Sequence, residues 1–154
     1  EERTARSITQ MVYDVLSGRG ITLVNGGEQM RSFTHISDGV AALMAILADE
    51  KASNGKIFNI GNPANNASIK ELAHIIIDVM KEIPSFREAA EKTAVTVMPA
   101  EQYYGNGYDD MKNRVPSIQA IGAALGWKPL VPLREAVAMT VASYLDSGEE
   151  QKRG

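Results

Sequence analysis

"RSFTHISDGVAALMAILADE", residues 31–50, changes character halfway along. Its first part, "RSFTHI", is a short stretch that reads as a strand. From "GVAALMAILADE" onward the apolar residues crowd at helical spacing, and Ser37 or Asp38 stands where an N-cap belongs. A strand that runs straight into a helix is the repeating unit of an α/β fold. The question is whether the flanking sequence keeps the same alternation.

It does. Upstream, "RSITQMVYDVLSG" places Ile8, Met11, Val12, Val15 and Leu16 at helical spacing, with Gly18 as a stop. "ITLVNGG" then reads as a strand entering a turn. Downstream, "KIFNIGN" is a third strand candidate, closed by Gly61, Asn62 and Pro63. In "SIKE", Ser68 and Glu71 stand three apart, a capping box ahead of Leu72, Ile75, Ile76 and Val79. "AVTVMPA" is a fourth strand. "YYGNGYDDMKNRVPSI", residues 103–118, suits neither helix nor strand and reads as a polar loop. Ser117 caps "IQAIGAALG", and "PLREAVAMTVASYLDSG" is the last helix, with Pro132 near its first turn. The expected domain covers 1–148, with 149–154 a frayed tail.

The totals exclude several functions. The chain has 154 residues and a formal net charge of −3, so any anion site must be local. It has no cysteine, which removes disulfides, thiolate metal sites and a cysteine nucleophile and suits a reducing cytoplasm. No apolar run approaches the length of a membrane span, and nothing suggests nucleic acid as a partner.

Chemistry must come from few residues. His74 lies on a helical face, and His35 lies three before Asp38 with no second ligand at metal spacing, so both read as structural. Asp109 and Asp110 are two adjacent carboxylates without a third oxygen cluster, which suits a solvated turn or a sugar hydroxyl better than a metal. Arg31 follows the turn "NGGEQM", where its planar fork can address a phosphate or form a surface ion pair. Arg114, beyond the glycine-rich loop, has the same two readings. Tyr103, Tyr104 and Tyr108 are either packing residues or ligand contacts.

"RSFTHISDGVAALMAIL" resembles the strand and helix "R-D-F-x-H-V-x-D" of extended short-chain dehydrogenases, the NAD-dependent epimerase/dehydratase family, and "KIFNIGNP" resembles its "YNIG" strand. "YYGNGYDDMKNRVPSI" is similar to a narrower branch: the UDP-glucuronic acid decarboxylases of the polymyxin-resistance type and the UDP-4-keto-pentose/UDP-xylose synthases. The similarity runs from about Ala5 to about Leu145.

The resemblance implies an α/β, Rossmann-type enzyme of which this chain is the C-terminal, substrate-binding portion. It implies that Thr22, Leu23, Val24, Asn25, Gly26, Gly27, Glu28, Gln29, Met30 and Arg31 lie along a UDP-sugar, with Arg31 neutralising the diphosphate. It further implies that Tyr108 and Arg6 contact the nucleotide-sugar and that Arg114 is the catalytic arginine at the sugar carboxylate. The implied cofactor is NAD, held mainly by an N-terminal half whose glycine-rich loop and Tyr-x-x-x-Lys pair are not in this sequence. The full-length enzyme is expected to be cytoplasmic and to self-associate. Arg114 would separate a decarboxylase, which must hold a carboxylate, from an epimerase or dehydratase of the same family, although Lys112 could substitute for it. A third reading is a non-catalytic sugar-nucleotide module. A guanidinium hardly releases a proton in a protein, so the role implied for Arg114 is to position and stabilise charge rather than to act as an acid. Ser32 departs from the pattern, since most relatives carry Asp there.

Overall fold

The computed structural model describes residues 7–105 and 111–150. The chain forms two compact units, and both draw on separated stretches of sequence.

The first unit takes residues 1–29, 68–112 and 137–154. Helix α1 (Ser7–Leu16) buries Met11, Val12 and Val15, while Leu16 stays exposed. The chain reverses through Gly18 into β1 (Ile21–Val24), whose Ile21 and Leu23 point into the core. Helix α4 (Ile69–Glu82) is fixed at its start by the expected capping box. The Glu71 amide donates to Ser68 Oγ at 3.1 Å, and Glu71 Oε2 accepts from the Ser68 amide at 2.7 Å. Its buried face is Leu72, Ala73, Ile76, Ile77, Val79 and Met80. Ile83, the residue before Pro84, leaves the helical conformation, and Pro84 starts α5 (Pro84–Glu91) in the first turn, where its missing N–H costs nothing. Strand β4 (Val95–Met98) then lies parallel to β1, with Ile21 opposite Val95 and Val24 opposite Met98. A parallel pair needs a long crossover, and α4 and α5 lie between the two strands in the chain. Helix α6 (Ala100–Tyr104) follows.

The second unit takes residues 30–67 and 113–136. It contains β2 (Met30–Ser32), α2 (Ile36–Ala48), α3 (Glu50–Ser53), the start of β3 (Asn66–Ser68), β5 (Asn113–Arg114) and α7 (Gln119–Leu125). The strand order is β3-β2-β5. Its core is Ala42, Ile121 and Trp127, with Ala45, Ile46, Phe58 and Ile60 packed against them. The last helix, α8 (Leu133–Glu150), starts in this unit and continues in the first, where Val137 and Val141 are buried.

Several expectations are corrected here. "RSFTHI" forms strand only through Ser32. Helix α2 is capped by His35, whose Nδ1 accepts from the Ser37 amide at 3.3 Å, and not by Ser37 or Asp38. Asp38 is buried because its carboxylate has other work: Leu130 and Val131 donate their amides to it at 3.0 and 3.1 Å. "KIFNIGN" forms no strand in the structure. Ser117 does not cap α7, whose N-cap is Ile118. Tyr103 and Tyr104 close α6 instead of opening a loop, and Asn113–Arg114 is a short strand. The two histidines carry the structural roles expected of them: His35 caps, and His74 is exposed on α4.

Candidate functional site

Strands β2 and β5 pair in parallel, with Met30 opposite Asn113 and Arg31 opposite Arg114. Residues opposite one another in a parallel ladder send their side chains to the same face, with strands about 4.8 Å apart. The two arginines named from the sequence are therefore neighbours on one sheet face. Arg31 is half-buried, and one of its Nη donates to the Met30 carbonyl at 2.7 Å. Arg114 is exposed.

The backbone beneath them is held on both sides. Ser32, directed to the face opposite Arg31, donates its hydroxyl to the Asn62 carbonyl at 3.2 Å. Beyond β5, Asn59 Nδ2 donates to the Ser117 carbonyl at 3.3 Å. Gly61 faces the Pro116 ring, and any side chain at 61 would collide with it. Two guanidinium forks on adjacent strands, on a fixed backbone, match a diphosphate or a phosphate and a carboxylate on one ligand.

Three buried polar side chains that sequence reasoning did not assign to this unit converge behind it. Besides the Asp38 contacts, Asn62 and Asn65 each donate a side-chain amide hydrogen to the Val131 carbonyl, at 3.1 and 2.9 Å. Pro129 and Pro132 have no N–H, so Leu130 and Val131 carry the only two amides of this connection, and Asp38 takes both. The signal was present in the sequence: a carboxylate on an otherwise apolar helix, and asparagines bracketing Pro63.

The rest of the expected substrate run, Thr22 to Gln29, belongs to the first unit. Thr22 Oγ1 lies 3.4 Å from Thr96 Oγ1 across the β1–β4 ladder. Leu23 is a core residue. Asn25 has φ 49° and its Oδ1 accepts from the Ala100 amide at 2.8 Å, which ties the turn to α6. Gly26 and Gly27 both have positive φ. A Cβ on Gly27 would lie 2.9 Å from the Lys70 backbone nitrogen, so this glycine admits the start of α4 against the turn. Gln29 accepts at its carbonyl from the Ile69 amide at 3.1 Å, fixing the same junction. The turn is thus packed against the start of α4 and tied to α6. Arg6, Tyr108, Asp109 and Asp110 lie outside the described residues. Among the described residues no cluster of metal-binding side chains occurs, and no helix is long and apolar enough to cross a membrane.

Residues 1–61 match the NAD dependent epimerase/dehydratase family. The crystal structure of PbgP3 protein from Burkholderia pseudomallei is 34% identical over 90% of this chain, with a TM-score of 0.75. UDP-glucose 4-epimerase from Thermotoga maritima, solved with UDP-glucose, is 22% identical over 95% of the chain at a TM-score of 0.72. UDP-glucuronic acid 4-epimerase from Bacillus cereus, solved with NAD, is 21% identical over 86% at 0.64. The chain spans only 38%, 41% and 37% of those three proteins. The chain has an α/β, Rossmann-like fold similar to that of these structures.

Proposed function

We propose that this chain is the nucleotide-sugar-binding portion of an NAD-dependent UDP-glucuronate decarboxylase. The observation that carries the reading is the register of Arg31 with Arg114, two cations on one sheet face in a chain of net charge −3. UDP-glucuronic acid offers two anionic groups, a diphosphate and a sugar carboxylate. Arg31 meets the first and Arg114 the second.

NAD would supply the oxidation at the sugar C4 hydroxyl. None of this chain's residues is assigned to that step. Their work lies with the resulting β-keto acid. Arg114 holds the carboxylate in a bidentate grip. When the bond from C5 to the carboxyl carbon breaks, carbon dioxide leaves and the electron pair spreads over C5, C4 and the C4 oxygen. The fixed guanidinium stabilises that charge, and water returns a proton to C5. The product is UDP-4-keto-pentose or, if the ketone is reduced again, UDP-xylose.

An epimerase or dehydratase of the same family is the second reading. One solved neighbour is an epimerase named for UDP-glucuronic acid, so an arginine for the carboxylate does not by itself separate the two activities. The released product does. Full-length protein given NAD and UDP-glucuronate should liberate carbon dioxide, and Arg114→Ala should lower turnover more than it raises KM. Conversion to UDP-galacturonate without carbon dioxide would replace decarboxylation by epimerisation. Absence of any UDP-sugar binding would leave only the fold.

A further inference from the structure

We propose that Asn54 is a site of spontaneous covalent modification, in which the Gly55 backbone nitrogen attacks the Asn54 carboxamide and converts it to isoaspartate and aspartate. Asn25 also stands before a glycine, and the fold protects it. The inference is independent of which sugar-nucleotide reaction is catalysed.

Asparagine is a thermolabile residue, and a following glycine places no side chain over the attacking nitrogen. The Gly55 nitrogen gives up its proton and bonds to the Asn54 Cγ. The carboxamide C–N bond breaks, its electron pair takes a proton, and ammonia leaves. The product is a five-membered succinimide. Water then opens the ring at one of its two carbonyls. Opening at Cγ gives aspartate. Opening at the main-chain carbonyl gives isoaspartate, with the chain now routed through Cβ and Cγ. Water is the co-reactant, and nothing is oxidised or reduced.

Asn54 is placed for this reaction. It is the C-cap of α3, with φ −59° and ψ 131°, and it is exposed. Its own amide donates to the Glu50 carbonyl at 2.8 Å, but its carboxamide has no partner among the described residues. Gly55 has φ 70° and open space where a Cβ would stand. Its amide donates to no acceptor among the described residues, so the nucleophile is free. The Lys56 amide closes the turn on the Ser53 carbonyl at 3.0 Å, and an exposed bond at a helix end opens often. Rotation at Asn54 then brings nitrogen and Cγ together.

Asn25 meets a different environment. Its Oδ1 accepts from the Ala100 amide at 2.8 Å, which holds the carboxamide on α6 and off its own main chain. Its backbone is set at φ 49°, and Gly27 packs so closely on the start of α4 that a Cβ would lie 2.9 Å from the Lys70 nitrogen. Ring closure there must first break the Ala100 bond and shift a packed turn.

The isoaspartyl product bears on the second unit. One extra main-chain atom enters just ahead of Phe58 and Ile60, which pack on its core, and of Asn59, which donates to the Ser117 carbonyl.

The test is incubation of the polypeptide as the cell makes it, in mildly alkaline buffer, followed by tryptic digestion and mass spectrometry. Cleavage at lysine and arginine puts Asn54 on peptide 52–56 and Asn25 on peptide 20–31, apart from Asn106 on peptide 93–112. Peptide 52–56 should gain the mass of an NH2-to-OH exchange and split into two chromatographic forms, isoaspartate and aspartate. In the native protein it should react at least about tenfold faster than peptide 20–31, the factor that one added hydrogen-bond opening sets. In urea, where both turns are lost, the two should react within about twofold of each other. Equal rates in the native protein would overturn the proposal. So would an Asn54 that reacts in urea and not in the native protein, or a tenfold preference that persists in urea.

Discussion

Removing the Asp38 carboxylate should be among the most damaging single changes in the second unit. The carboxylate accepts from the Leu130 and Val131 amides at 3.0 and 3.1 Å, and its residue is buried. Hydrogen bonds to a charged acceptor contribute about 1.5–3 kcal/mol each. In Asp38→Ala both donors lose their partner inside a segment where Pro129 and Pro132 offer no alternative. Two such bonds set the scale at roughly 3–6 kcal/mol, and water entering the vacated space recovers part, leaving about 3 kcal/mol. At about 2–4 °C per kcal/mol for a chain of this size, the midpoint of thermal unfolding should fall by about 6–12 °C. Asp38→Asn keeps one acceptor oxygen but turns an NH2 toward the other amide, so it should be destabilised by less, about 2 kcal/mol. Circular dichroism during thermal and urea unfolding reads both variants. An Asp38→Ala midpoint within about 2 °C of the parent would refute the clamp and leave Asp38 as a surface-like residue.

The arginines and the caps give further tests. Arg114→Lys keeps the charge but loses the planar fork, so UDP-glucuronate should bind the full-length protein at least about tenfold more weakly, while UDP-glucose changes little; equal loss for both sugars would move Arg114 off the carboxylate. Gly61→Ala places a Cβ against the Pro116 ring and should destabilise the protein by about 1–3 kcal/mol, as overpacking does, and an unchanged urea midpoint would contradict that contact. The hydrogen bond from the Ser68 backbone, and then that from its hydroxyl, hold the Glu71 carboxyl below its ordinary range. Its folded value is thus lower than its unfolded one, so its contribution is complete above the unfolded value and disappears as pH falls through the folded value. Glu71→Gln should therefore flatten the loss of stability on the acid side, and parallel acid profiles for parent and variant would remove Glu71 from it.

What the sequence disclosed depended on how local each cause was. The capping box of α4 is written within four residues, Ser68 to Glu71, and forms as expected. The β1 and β4 strands also declare themselves, since each is a short β-branched run bounded by turn residues. Asp38 misleads for the opposite reason: it stands where an N-cap belongs, but its partners lie 92 and 93 positions away. Strand β5 is two polar residues long and exists only because β2 lies beside it, so no periodicity could announce it. "KIFNIGN" has a strand's composition yet finds no ladder among the described residues, because composition records a preference for pairing and not the presence of a partner. Arg31 and Arg114 were each legible as a cation near a turn. Their adjacency was not, because register is a property of the folded sheet.

That adjacency is also what makes an anion the natural reading. Like charges opposite one another in a ladder are destabilising, and water and salt reduce that cost without reversing it. A sheet of short strands has little pairing energy with which to absorb it. The segment that carries Arg114 is nonetheless fastened twice: at β5 through the pairing with Met30 and Arg31, and just beyond through Pro116 against Gly61 and Ser117 to Asn59. The backbone is held, yet the side chain it presents is exposed. Ser32 fits the same arrangement. Its hydroxyl donates to the Asn62 carbonyl, a bond that an ionised aspartate at this position could not make. An anion bound by Arg31 and Arg114 on this face would be held in one orientation by the fixed backbone beneath them.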